Sequence, residues 1–262
     1  MLIQVGQPSQ VNSLSRSGAV APQVGIRPDE LSGLVLWLDG ALADTILGTA
    51  NVIQWDDVSG QNNHATQASI LNTPSRAVDG VQFSNSNGLS PPETAQQYME
   101  LTSGPLLQVA FIVATMNSGG VSPSAHGLIS SNDGSNDTYA FAIRNTDPGT
   151  TYAYSLDGTA SDVAFIRVNG GFYEDTGGNV GSFATDVLQD ELVVLAISYL
   201  APDPANPGMD LLGAIRASSG ISLGLDGVMH EVVVYDRTLT VEEFDGVEAY
   251  LIDKWRPPTP GS

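Results

Sequence analysis

Short apolar runs separated by polar turns organise most of this chain. Seven of them, Leu34–Leu38, Val109–Thr115, Tyr139–Arg144, Tyr152–Leu156, Val163–Val168, Leu192–Tyr199 and Val232–Tyr235, have strand length and are rich in β-branched and aromatic residues. In Tyr139–Arg144 large residues alternate with small or polar ones, as a strand with two different faces requires. Between the runs stand Asn-Asp-Gly, Asp-Gly, Asn-Gly-Gly and Gly-Gly-Asn, which supply the positive φ angles of tight turns. The 28 glycines and 15 prolines are dispersed rather than gathered in one tract, so the pattern predicts many short strands in an all-β domain.

Helical period is convincing in one stretch only, from Thr240 to Trp255. Phe244, Val247, Leu251 and Trp255 recur at spacings of three, four and four and share one face. Thr240 with Glu243 forms a capping box, Glu242 and Asp245 occupy the first turn, Lys254 the last, and Pro257-Pro258 stop the helix.

Residues 1–30 follow neither period and read as an extended arm, rich in Ser, Gln, Gly and Pro. Its sparse apolar residues, Leu2, Ile3, Val5, Leu14, Val20, Val24 and Ile26, are the candidate anchors on a partner chain. With 262 residues, 42% of them hydrophobic, the remainder suits one large core. The expected organisation is an arm over 1–30, one domain over 31–256 that closes with the helix, and a Pro-rich tail over 257–262.

Charge narrows the partners. Nine basic residues against 29 acidic ones give a formal charge of −20, which repels a phosphate backbone and argues against nucleic acid. Such a surface suits salty water, and its carboxylates are a source of calcium ligands. The absence of cysteine removes disulfides, thiolate metal sites and cysteine nucleophiles together. Met1 to Val11 shows no basic or apolar leader, and no apolar run is long enough for a bilayer, so no membrane is expected.

Two motifs are specific. The first is Leu225-Asp226-Gly227-Val228-Met229-His230-Glu231-Val232-Val233-Val234-Tyr235-Asp236-Arg237-Thr238-Leu239-Thr240, leading into Glu242-Glu243 and Tyr250-Leu251. The second is Trp55-Asp56-Asp57-Val58-Ser59-Gly60-Gln61-Asn62-Asn63-His64-Ala65. They resemble the closing strand and helix, and the signature near the start, of concanavalin A-like (laminin G-like) jelly-roll domains. The resemblance spans about Leu31 to Arg256 and implies a two-sheet antiparallel jelly-roll sandwich with one C-terminal helix. That fold carries phage structural proteins, adhesion modules, lectins and glycanases, so it leaves function open.

Candidate chemistry is sparse. Trp37, Trp55 and Trp255 are read as core residues, and Trp55, flanked by Asp and Asn pairs, is also the candidate for stacking on a glycan. Asp57 and Asn62 are the candidate calcium ligands, and Asp39 and Asp226 join them if strand ends cluster. His64, His126 and His230 lack the spacing of a zinc site, and His64 is expected to bond within its own turn. Glycanases of this fold carry Glu-x-Asp-x-x-Glu on one strand; here Glu231 stands alone before three valines, and no catalytic residue is assigned. The expected function is a non-enzymatic bacteriophage virion protein, a capsid decoration, fibre or tail component. It would be made in the host cytoplasm and joined through its arm to other virion proteins or to copies of itself as a homo-oligomer. The alternatives are an extracellular or cell-surface glycan-binding adhesion module and, third, a glycoside hydrolase or lyase. No cofactor is expected apart from calcium.

Overall fold

The computed structural model describes residues 25–84, 96–117, 124–132, 138–147, 150–156, 163–174, 190–199, 208–217 and 220–256. Eighteen strands run through them: β1 Leu34–Asp39, β2 Ile46–Leu47, β3 Gln54–Trp55, β4 Ala65–Thr66, β5 Ser75–Ala77, β6 Gly80–Ser84, β7 Met99–Leu101, β8 Val109–Met116 and β9 Ser124–Asn132. They continue as β10 Thr138–Asp147, β11 Thr150–Leu156, β12 Val163–Val168, β13 Gly171–Glu174, β14 Leu192–Tyr199, β15 Leu211–Leu212, β16 Ile215–Ala217, β17 Gly220–Ser222 and β18 Asp226–Tyr235, followed by the helix α1, Val241–Trp255. All seven predicted runs are strands. The Asn169-Gly170 pair makes the two-residue turn between β12 and β13, with φ of 51° and 81°, as its sequence predicts.

Two eight-stranded antiparallel sheets carry the fold. The first has the order β13-β12-β14-β8-β18-β6-β5 with β1 also paired to β18, and the second has the order β11-β10-β9-β15-β7-β4-β3-β2. One apolar core lies between them, taking Leu36, Leu38, Phe83, Ile112, Leu195 and Val232 from the first sheet and Trp55, Met99, Leu128, Ile129 and Phe141 from the second. Trp37, Phe111, Val113, Val194, Val233 and Tyr235 point out of the other face of the first sheet, where Phe244, Val247 and Leu251 of α1 cover them. Strands β8, β14 and the end of β18 are therefore buried on both faces. That is why they read as unbroken apolar runs.

Two register shifts decide what faces the helix. In β1 the pairing slips between Leu34 and Leu36, so Leu34 and Trp37 both point to α1 despite their odd spacing. In β18 the slip falls between Met229 and Glu231, so Met229 and Val232 both face the core between the sheets, and Glu231 is turned toward α1 with Val233 and Tyr235.

The helix begins where its capping box sets it: Glu243 N donates to Thr240 Oγ1 (3.2 Å) and Thr240 N to Glu243 Oε2 (2.9 Å). Residues 25–30, read from sequence as the end of the arm, belong to the folded body. Ile26 N donates to the Gly246 carbonyl (2.9 Å), Pro28–Glu30 form a 3₁₀ turn, and the buried Tyr235 hydroxyl donates to the Pro28 carbonyl (3.0 Å). A methyl group on Gly246 would overlap the Ile26 side chain, which explains a glycine in mid-helix despite its cost of about 1 kcal/mol. The tail over 257–262 lies outside the described residues.

Because Leu251 is fully buried against the first sheet, Leu251→Ala should cost about 2 to 5 kcal/mol in chemical denaturation, and Thr240→Ala about 1. Unchanged midpoints in both variants would mean that the helix does not pack as described.

Candidate functional site

The two motifs meet at Trp37. Its backbone N–H donates to Asp57 Oδ1 (2.8 Å) in the loop between β3 and β4, and its indole Nε1 donates to Glu231 Oε1 (2.7 Å) on β18. One residue thus joins the loop after β3 to the closing strand.

The loop is built around the Asp57 carboxylate. Oδ1 accepts from Trp37 N (2.8 Å) and Ser59 N (2.9 Å), and Oδ2 accepts from Ser59 Oγ (2.8 Å) and Asn63 N (2.9 Å). Asn63 Nδ2 donates to the Val35 carbonyl (2.6 Å), and His64 Nδ1 accepts from Asp57 N (3.1 Å), the bond within its own turn expected of it. Gly60 and Asn62 sit at φ of 86° and 61°, the left-handed region that Gly and Asn tolerate best.

This geometry bears on two sequence expectations. A carboxylate offers about four lone-pair directions, and at Asp57 four donors of its own chain take them. Asn62 is exposed at the turn instead of sharing a ligand set with it. Among the described residues no group of three or more His, Asp or Glu is placed to hold a metal. Trp55 is fully buried in the core between the sheets, which confirms its packing role and leaves no ring face for a sugar.

The second centre is ionic. Glu231 is fully buried, and its Oε2 accepts from Lys254 Nζ (2.7 Å) and from Trp255 Nε1, while Oε1 holds Trp37. Lys254 Nζ also lies 2.7 Å from Asp39 Oδ1. Sequence analysis brings Asp39 toward other carboxylates around calcium; the cation that it meets is an ammonium. Lys254 is the only lysine in the chain, and that rarity was the signal by which sequence reading could have found it. Burial, reinforced by Asp39, holds the Glu231 carboxyl above its ordinary range against the pull of Lys254 and Trp255. Burial alone would lower Lys254, but the Glu231 and Asp39 carboxylates outweigh it and raise it.

The rest of the closing motif is used the same way. Arg237 clamps Glu243 through two 2.8 Å bonds and donates to the Ser32 carbonyl (2.8 Å), so the residue after β18 secures both the helix start and the chain before β1. That guanidinium, with the Thr240 amide, lowers the Glu243 carboxyl to about 2. On β12, Arg167 reaches Asp245 (2.5 Å) and Glu248 (2.9 Å), a second tether for α1. His230 lies between Thr115 Oγ1 (2.9 Å) and the Asp79 carbonyl (3.0 Å), beside Trp255. His126 contacts the Gly224 carbonyl (3.3 Å), and Asp226 accepts from Asn117 Nδ2 (2.8 Å), so neither joins the other centres.

The central residues of both motifs therefore hold sheet, loop and helix together. Asp57, Glu231 and Glu243 face donors of the same chain, and Glu231 has no surface from which to reach a substrate. The molecule belongs to the mostly-β class, with two antiparallel sheets and a C-terminal helix. No protein-family model and no curated protein matches the chain. The arm residues Leu2, Ile3, Val5, Leu14, Val20 and Val24 lie outside the described residues, while Ile26 packs on Gly246 of its own chain.

Lys254→Met removes one partner of a buried pair and should cost about 3 to 5 kcal/mol at neutral pH. In that variant Glu231 protonates more readily in the folded than in the unfolded chain. Stability is then lost as pH rises from the ordinary 4.5 through the raised folded value, so the defect shrinks in denaturation at pH 5. A defect independent of pH would contradict the charge pairing.

Proposed function

We propose that this chain is a non-enzymatic structural component of a bacteriophage virion, a jelly roll of the concanavalin A-like (laminin G-like) type attached through its N-terminal arm. The observation that carries the reading is the structural use of the residues through which the two motifs meet. Trp37, Asp57, Asn63, Glu231, Arg237 and Lys254 all hold the scaffold, and none presents a reacting group to solvent. A carboxylate pair for glycoside hydrolysis needs an open gap between its members, whereas Asp39 and Glu231 are bridged by one ammonium.

Several features support assembly over catalysis. The body carries all of the chain's acidic residues and has no cysteine, which suits a particle surface exposed to salt. The arm precedes a firmly docked point at Gly25 and Ile26, so whatever it binds is coupled to the helix and through it to the first sheet. Other virion proteins or further copies of the chain are the partners this reading assigns.

Deleting residues 1–24, which stops short of the docked Gly25, should leave the denaturation midpoint of the body unchanged and abolish sedimentation with assembled particles. Wild-type incorporation after that deletion would refute arm attachment. Binding of the truncated body to a glycan array would instead favour an adhesion module.

A further inference from the structure

The ion cluster around Lys254 brings together an amine, a carboxyl group and a second carboxyl group within one hydrogen bond of the amine. Lys254 Nζ lies 2.7 Å from Asp39 Oδ1, so Asp39 Cγ is no more than about 3.9 Å from the nitrogen once a C–O bond of about 1.2 Å is added. A near-attack approach is about 3 to 3.5 Å. Asp39 is held there from its backbone. It pairs with Glu231 between β1 and β18, Gly40 N donates to the His230 carbonyl (2.8 Å), and Ala41 N donates to Asp39 Oδ1 (3.0 Å). Little water reaches the site, since the side chains of Lys254, Asp39 and Glu231 are 19%, 6% and 0% exposed.

The hydrogen bonds divide the roles of the two carboxyl groups. Both Glu231 oxygens are held by indoles, Oε1 by Trp37 and Oε2 by Trp255, whereas among the described residues nothing donates to Asp39 Oδ2. Asp39 is therefore the group with an oxygen free to leave. The Ala41 amide faces Oδ1, where negative charge develops when Cγ is attacked. Glu231 Oε2, 2.7 Å from Nζ, is in position to take the ammonium proton. Burial, which raises the Glu231 carboxyl, favours that transfer because it converts two buried charges into an amine and a neutral acid.

We propose that Lys254 and Asp39 condense into an intramolecular amide cross-link, with Glu231 carrying the protons. The Nζ lone pair forms a bond to Asp39 Cγ, and the Cγ–Oδ2 bond breaks with its electron pair on Oδ2. Two protons leave Nζ by way of Glu231 and end on Oδ2, which departs as water. Nothing is oxidised or reduced, and Glu231 is returned unchanged. One N–H stays on the nitrogen as a donor to Glu231. Well-oriented intramolecular groups reach effective concentrations of about 10⁵ to 10⁸ M, and the product exchanges an ammonium and a carboxylate in a dry site for a neutral amide. The bond ties the end of β1 to the end of α1 in a chain without cysteine. It is a single event within each molecule, and it does not rest on the virion reading.

Mass spectrometry of the full chain tests this, and because Lys254 is the only lysine the linked peptide is unambiguous. After incubation in the folded state, the denatured wild-type chain should be lighter than its sequence by one water, and its digest should contain the Asp39 and Lys254 peptides joined. Asp39→Ala, which removes the acyl group, and Glu231→Gln, which removes the proton carrier, should both keep the full sequence mass. The decisive reading is on the wild-type chain and does not require either variant to fold. A wild-type chain that keeps its full mass after prolonged incubation with a native far-UV spectrum would overturn the cross-link. So would a lost water that maps to any other pair of residues. Cross-linking of Glu231→Gln at the wild-type rate would overturn the part assigned to Glu231.

Discussion

The buried carboxylate of Glu231 is the interaction on which the rest depends. A lone charge in an apolar layer is among the most costly groups a fold can carry, and it persists only when its lone pairs are filled. Here two indoles and the chain's single lysine fill them, and the donors arrive from two elements: Trp37 on β1, Lys254 and Trp255 at the end of α1. The helix cannot dock in another register without leaving Glu231 unpaired, so the cost of burial becomes a device that specifies one arrangement. The register shift at His230 supplies the geometry by turning Glu231 out of the core between the sheets.

Around that point the structure repeats one strategy. Sequence-local hydrogen bonds fix a turn or cap, and a single long side chain then ties it to a distant strand. Asp57 organises its loop and reaches Trp37; Glu243 caps the helix and reaches Arg237; Glu248 accepts from both Arg167 and the Gly170 amide. With no disulfide to close long loops, these ties supplement burial.

Much of this was legible in the sequence because it is local. Short apolar or alternating runs between turn residues marked the strands, period 3.6 with Thr240 and Glu243 marked the helix, and Asn169-Gly170 marked its turn, each through contacts within a few residues. The ion cluster was not legible, because its members are separated by up to 215 positions (Asp39 to Lys254) and meet only after the register shifts of β1 and β18. Trp55 was legible as a core residue, and its polar neighbours do not make it a sugar platform: the indole is fully buried, and Asp57 and Asn63 are buried with it, their polar groups bonded within the chain.

The central claim is that Trp37 and Lys254 act through one carboxylate, and a double-mutant cycle tests it most directly. Trp37→Phe and Lys254→Met, alone and together, should show a coupling of about 0.5 to 3 kcal/mol in chemical denaturation, since both side chains donate to Glu231. Strict additivity of the two changes would contradict a shared buried partner.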